Sequence, residues 1–205
     1  GRPEAHPLLQ RRAEGPSPAW TTRLAGPALG WLTQHQVEDS VVLPGAALVE
    51  ACFAAAAELG EDRQVEELRF EQAVVLPAGA AVDLRVEAGP EARIELHGRV
   101  GEGSWTRQAS GRLAAGGRLR PPAPVDLPAL RARVVDNGEA IDIEALYAEL
   151  EARGLRYGPA FRGLRAAWRR GEELFAELEI EVQAEGWAVH PAQLDSSFQA
   201  MVALA

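Results

Sequence analysis

Lysine is missing from this chain: all 21 of its cationic side chains are arginine. That bias suits a GC-rich genome and carries no functional message. Thirty acids outweigh them and leave a net charge of −9, which excludes the basic stripe that a nucleic-acid backbone requires. The single cysteine, Cys52, excludes a disulfide within the chain and makes a reducing, cytoplasmic setting the default. No apolar run reaches the roughly 20 residues of a membrane-spanning helix, and the opening GRPEAHPLLQRRAEG lacks the apolar segment of a signal peptide. The four histidines and one cysteine have no metal-ligand spacing. Glycine-rich pieces such as GEG and AAGG lack the strand–GxGxxG–helix setting of a nucleotide site.

What is present is a large core: 47% of the 205 residues are hydrophobic, enough for one large domain or two small ones sharing a core. The chain is organised around Trp31 to Gly60. A short extended segment carrying His35 leads through Pro44-Gly45 into an alanine-rich, almost uncharged helix. Proline suits a first helical turn, where its missing N–H would have no partner, and Gly60 suits the C-terminal stop. A helix apolar nearly all round must be wrapped by something else. Ala19–Leu24 and Ala28–Thr33 read as strands about a Gly26-Pro27 turn. Gln64–Leu76, Ala81–Ala88, Ala92–Val100 and Ser104–Leu113 read as antiparallel strands that supply the wrapper. Residues 115–139 are proline-rich and aperiodic and read as a surface linker.

A second unit begins near residue 140: a helix over Ile141–Arg153, strands over Phe161–Arg170 and Glu173–Val182, then His190-Pro191 opening another apolar helix. The expected organisation is therefore an N-terminal unit 1–114, a linker 115–139 and a C-terminal unit 140–205. Three or four more strands would complete the second sheet, so that unit reads as truncated at residue 205. The class is α+β.

Two ionisable residues stand out. His35 lies among apolar residues ahead of a helix N-terminus, and Asp195 lies one turn into an otherwise apolar helix. Gln199 shares a face with Asp195 and can hydrogen-bond it. Imidazole is a base near neutrality without perturbation. A carboxylic acid stays protonated there only where burial disfavours its charge. Free amides at a helix start, Gly45 first among them, can hold a developing oxyanion. Such a set suits elimination of water from a β-hydroxyacyl thioester. His190 reads as a structural starter of the last helix and His97 as a solvated strand residue.

Three motifs now fall into order. H-x-x-x-G-x-x-x-x-P is matched by His35 and Pro44 with Asp39 in place of glycine. G-Y-x-Y-G-P-x-F is matched by Gly154, Tyr157, Gly158, Pro159 and Phe161, with Leu155 for the first tyrosine. D-x-x-x-Q is Asp195 through Gln199, and His6-Pro7-Leu8-Leu9 resembles the usual opening. The chain thereby resembles a dehydratase domain of a modular type I polyketide synthase over essentially its whole length.

The resemblance implies a double hotdog, two central helices each wrapped by an antiparallel sheet. It implies that His35 removes the α-proton and Asp195 protonates the departing hydroxyl, with Gln199 and Tyr157 holding or polarising them and Gly45 binding the thioester oxygen. Pro44 and Gly158 complete the set. Asp39 and Leu155 lie off the catalytic atoms and are expected to alter packing alone. No metal or redox cofactor is implied, because the substrate arrives on the phosphopantetheine of an acyl carrier protein. Neighbouring synthase domains and a second copy of the chain are the other expected partners, with no nucleic acid and no membrane. Arg118, Arg120, Arg131 and Arg133 are candidates for carrier docking. Rival readings are a double-bond isomerase or an oxa-cyclising domain of the same fold, and an idle structural or dimerisation domain.

Overall fold

The computed structural model describes residues 6–60, 63–115, 124, 126–180 and 185–202. The chain opens with strands β1 (Arg11–Ala13) and β2 (Ala19–Arg23), then a 3-10 helix over Pro27–Gln34. The expected strand at Ala28–Thr33 is this helix. Gly26 turns the chain at φ 97°, Pro27 has no N–H for a ladder, and Leu29, Trp31 and Leu32 are buried on a spacing that does not alternate. Strands β3 (His35–Val37) and β4 (Ser40–Val41) form a tight hairpin.

Helix α1 (Gly45–Glu58) follows, with Pro44 as its extended N-cap, one residue earlier than a first-turn position. Leu59 ends the helix, and Gly60 takes the left-handed conformation (φ 71°) that lets the chain leave. Strands β5 (Arg63–Phe70), β6 (Val82–Ala88), β7 (Arg93–Val100) and β8 (Thr106–Ala115) complete an antiparallel sheet of order β1-β2-β6-β7-β8-β5. Its inner residues Val82, Leu84, Val86, Ile94, Leu96, Ala109 and Leu113 bury against Ala47, Leu48, Ala51 and Cys52 of α1. Each fully buried aliphatic side chain there stabilises by about 1.5–3 kcal/mol. Burial pushes the Cys52 thiol up to about 12, so it behaves as a small apolar residue.

The proline-rich stretch is not wholly a linker. Asp126 accepts a hydrogen bond from the Ala129 N–H at 2.9 Å and caps helix α2 (Leu127–Val135), which packs on the back sheet and buries Val134. Single-residue capping of this kind is a weak signal beside four prolines, which is why the helix escapes a periodicity reading. Arg131 and Arg133 project from it to Glu177 and Glu173; Arg118 and Arg120 lie outside the described residues. Then come β9 (Glu139–Ala140), α3 (Ile143–Ala152), β10 (Leu155–Tyr157), a 3-10 turn at Pro159–Phe161, β11 (Leu164–Arg170), β12 (Glu173–Leu178) and α4 (Pro191–Val202). The back sheet has the order β12-β11-β9.

A third small sheet, β10-β3-β4, joins the halves. Its register sets Leu155 opposite Val37 and Tyr157 opposite His35. Two motifs 120 residues apart thus meet as one β-pair.

Candidate active site

His35 is the first residue of β3, and the β3–β4 hairpin brings Val42 back beside it. The Val42 carbonyl accepts a hydrogen bond from His35 Nδ1 at 2.8 Å. That bond holds the ring proton on Nδ1 and leaves Nε2 with a free lone pair. Nε2 lies 3.9 Å from Asp195 Oδ1, and both side chains are largely buried. The rings of Phe161 and Tyr157, at 5.1 and 5.5 Å, flank the imidazole and keep water from its faces.

Asp195 reaches this point because α4 starts where it does. His190 is the N-cap: its Nδ1 accepts from the Ala192 N–H at 3.1 Å, and its carbonyl accepts from Gln193 and Leu194. Burial pushes the His190 imidazole down to about 4, against a weaker upward pull from Glu50. The ring is therefore the neutral acceptor a cap requires. Ser196 Oγ lies 2.9 Å from the Ala192 carbonyl of its own helix and 3.2 Å from the Phe161 carbonyl, so its one proton is shared between α4 and the second motif.

Burial raises the Asp195 carboxyl above its ordinary range, with His35 and the Gln199 hydrogen bond acting the other way. Gln199 Nε2 donates to Asp195 Oδ2 at 2.9 Å, and Gln199 Oε1 accepts from Tyr147 Oη at 3.1 Å. Tyr147 in turn accepts from the Leu164 N–H at 3.3 Å. The resulting relay fixes the amide orientation and leaves Asp195 Oδ1 facing His35. Tyr147 escaped the sequence reading because it lies in no motif; its place on the apolar face of α3 was the available signal. Tyr157 has no hydrogen-bonding partner for its hydroxyl among the described residues, and burial followed by the charge of Asp195 raises it.

A cavity of about 370 Å³ opens in front of His35, lined by Val42, Leu43, Gly45, Leu48 and Phe70 among others. Gly45 begins α1 directly on this cavity. A side chain there would meet the Phe70 ring at 3.4 Å, so glycine keeps the helix start open to a ligand. Gly158 serves close approach: a Cβ would come within 2.8 Å of Gln34, whose backbone and side-chain oxygens accept from the Gly158 and Ala160 N–H groups. Of the seven residues singled out by sequence, His35 and Gly45 line this cavity, Asp195 lies 3.9 Å from His35, Gln199 hydrogen-bonds Asp195 and Tyr157 sets its ring beside His35, while Pro44 caps α1 and Gly158 lies against Gln34. The departures lie outside: Asp39 is at the exposed hairpin tip, paired with Arg156 at 2.9 Å, and Leu155 packs beyond the site. His97, expected in solvent, is partly buried 3.9 Å from Glu95 on the outer sheet.

Two family models match the chain: residues 6–100 fit the polyketide synthase dehydratase domain, and residues 122–205 fit the polyketide synthase dehydratase N-terminal domain. The spectinabilin polyketide synthase system protein NorA' of Streptomyces orinoci is 39% identical over 89% of this chain and 5% of its own length. The pikromycin polyketide synthase component PikAII of Streptomyces venezuelae is 39% identical over 83% of this chain and 5% of its own. The chain thus spans a small fraction of these curated relatives. A solved structure concerned with dehydratase substrate selection for the borrelidin and fluvirucin polyketide synthases has 34% identity and a TM-score of 0.82, over 97% of this chain and 75% of that one. An isomerase-inactive variant of GphF DH1 has 32% identity and a TM-score of 0.83, over 98% and 72%.

Proposed function

The chain belongs to the polyketide synthase dehydratase domains and has their double-hotdog fold, and from that premise we propose that it converts a 3-hydroxyacyl chain on an acyl carrier protein into the 2-enoyl thioester. The observation that carries this reading is the pair His35 Nε2 and Asp195 Oδ1, 3.9 Å apart, with the carboxyl raised by burial. His35 takes the α-proton on Nε2, the thioester oxygen gathers the charge beside the Gly45 amide, and Asp195 gives its proton to the leaving hydroxyl. Water departs, and the proton on His35 returns to Asp195, which restores both groups. Pro44 ends the approach to α1 so that the Gly45 amide faces the cavity, and the Tyr157 hydroxyl is free to steady the substrate hydroxyl. A base and an acid so near each other serve one side of the Cα–Cβ bond, so the elimination is syn.

The chemistry calls for no metal or redox cofactor, because proton transfers alone balance it. The carrier protein, neighbouring synthase domains and a second copy of the chain are the partners this reading implies. Mass spectrometry of the products from synthetic 3-hydroxyacyl thioesters of both hands is the test. Loss of water from one hand supports the reading, and unchanged substrate from both refutes it. The GphF DH1 neighbour supports a second reading, in which the double bond then shifts; the same products, compared by double-bond position, decide it.

A further inference from the structure

We propose that Glu50 is a positioning residue that holds Asp195 in register with His35, an inference resting on the dehydration reading above. Helix α1 is otherwise nearly uncharged, yet Glu50 in its middle is fully buried. Its carboxylate is gripped by three donors. The Ala188 N–H reaches Oε1 at 2.6 Å, the Val189 N–H reaches Oε2 at 3.1 Å, and His6 Nε2 reaches Oε1 at 3.1 Å. His6 Nδ1 accepts from the Leu8 N–H at 3.2 Å, so its proton is on Nε2 and it donates as a neutral ring. A buried carboxylate without a cation is costly, and packing alone would be served by an apolar side chain.

What Glu50 grips explains its presence. Ala188 and Val189 are the two residues ahead of His190, the cap of α4, and Asp195 follows on the first turns of that helix. Glu50 is on α1, whose entry is fixed to His35 through Val42. The carboxylate therefore ties the strap that starts the acid's helix to the helix that follows the base. The Trp187, His190 and Trp31 rings pack around this strap with centroids 5.1 to 5.9 Å apart, and Trp31 reaches Phe161 beside His35. A slip of about 1 Å between base and acid costs on the order of 10²-fold in rate, so the tie has a kinetic role.

Glutamine at 50 keeps the shape but turns an N–H₂ group toward one of three donors. Aspartate keeps the charge but falls about 1.5 Å short. Glu50→Gln is expected to fold, to lose about 10- to 100-fold in kcat with KM within about threefold, and to shift the alkaline limb of the pH–rate profile, which reports the Asp195 proton. Glu50→Asp should behave alike despite its charge. A bell merely scaled down with its limbs unmoved, or a rate within twofold of the unmodified protein, overturns the proposal. Should Glu50→Gln fail to fold, His6→Ala removes one donor from the same carboxylate. It must then move the same limb in the same direction by a smaller amount, or the proposal fails. Asp195→Asn is assayed alongside: full turnover by that variant refutes Asp195 as the acid, the assignment on which the tie rests, whereas its inactivity beside a fully active Glu50→Gln refutes the tie alone.

Discussion

In the front lobe six strands close over α1, and the core runs from Leu8 to Leu113, takes in Phe161 and Ala192 from the back half, and encloses Trp20, Leu84, Val86, Ile94 and Leu96. Among the described residues of the back lobe, three strands meet α3 and α4, and the core is Leu146, Tyr147, Leu150, Leu164, Ala167 and Ala200. Phe198 and Met201 of α4 are 41% and 54% exposed. The base belongs to the front lobe and the acid to the back one. A catalytic pair tolerates little relative motion, so the seam between the halves must hold base and acid in register. It does so through the β10–β3 pairing, the packing of α4 on α1 and the Glu50 carboxylate.

The largest expected effects divide the catalytic pair. His35→Ala and Asp195→Asn should each lower turnover by about 10²–10⁴-fold, while their stabilities move oppositely. His35→Ala loses the hydrogen bond to Val42 and about 1 kcal/mol. Asp195 has a folded pKa above its unfolded value, so its contribution is fully present below the unfolded value and is lost as pH rises through the raised one. Above that range Asn removes the cost of a buried charge, so thermal melts followed upward in pH should show Asp195→Asn gaining on the unmodified protein on the alkaline side. A large fall in melting temperature for Asp195→Asn would make the carboxylate a structural anchor instead.

Core truncations sharpen the contrast. Leu84→Ala in the front sheet and Leu150→Ala in α3 remove equal volumes from wholly buried sites. Leu→Ala costs about 2–5 kcal/mol, rising with the cavity that fails to collapse. Denaturant titration should place Leu84→Ala, enclosed between the front sheet and α1, near the top of that range, and Leu150→Ala, in the smaller cluster with Leu146, Leu164 and Ala167, lower in it. Equal costs would show that the lobes are mechanically alike. A subtler effect lies at His190. Its folded pKa of about 4 is below the ordinary 6.5, so the unfolded chain binds more protons between those values. Its share of stability is complete above pH 6.5 and is lost as pH falls toward 4. His190→Asn keeps a capping acceptor without the titration, and its melting temperature should fall less over that window.

How much of this was legible without coordinates follows the same division. The front lobe announces itself through period-2 alternation in Val82, Leu84, Val86 and in Ile94, Leu96, and through the apolar run of α1. His35, Asp195 and Gln199 were legible because ionisable groups in apolar runs are costly and motif spacing located them. Pairing of Tyr157 with His35 was not, since strand register between distant segments leaves no local trace. Nor was the helix over Leu127–Val135, mostly exposed and bearing a single buried valine. Glu50 was masked by its neighbours: one acid in an alanine-rich helix looks like a solvent mark until its backbone donors are seen.

The smallest effect tests the back lobe's own contribution to the site. Tyr147 is on α3, far in sequence from either catalytic residue, yet its hydroxyl donates to Gln199 Oε1 at 3.1 Å and accepts from the Leu164 N–H at 3.3 Å. Tyr147→Phe keeps the ring in its core and deletes both bonds. Gln199 then has no fixed donor on Oε1, its amide can turn over, and an oxygen rather than an N–H₂ would face Asp195 Oδ2 part of the time. A protonated carboxyl can donate to that oxygen, which ties up the proton the leaving hydroxyl needs. The expected loss is about 1 kcal/mol in the barrier, roughly three- to tenfold in turnover, with a smaller loss than Gln199→Ala. Steady-state rates of the two variants and their double combination give the answer: if Tyr147 acts through Gln199, the double variant is no slower than Gln199→Ala. A further drop in the double variant would mean that Tyr147 reaches the acid by another route, and that the back lobe orders its own half of the site without the relay.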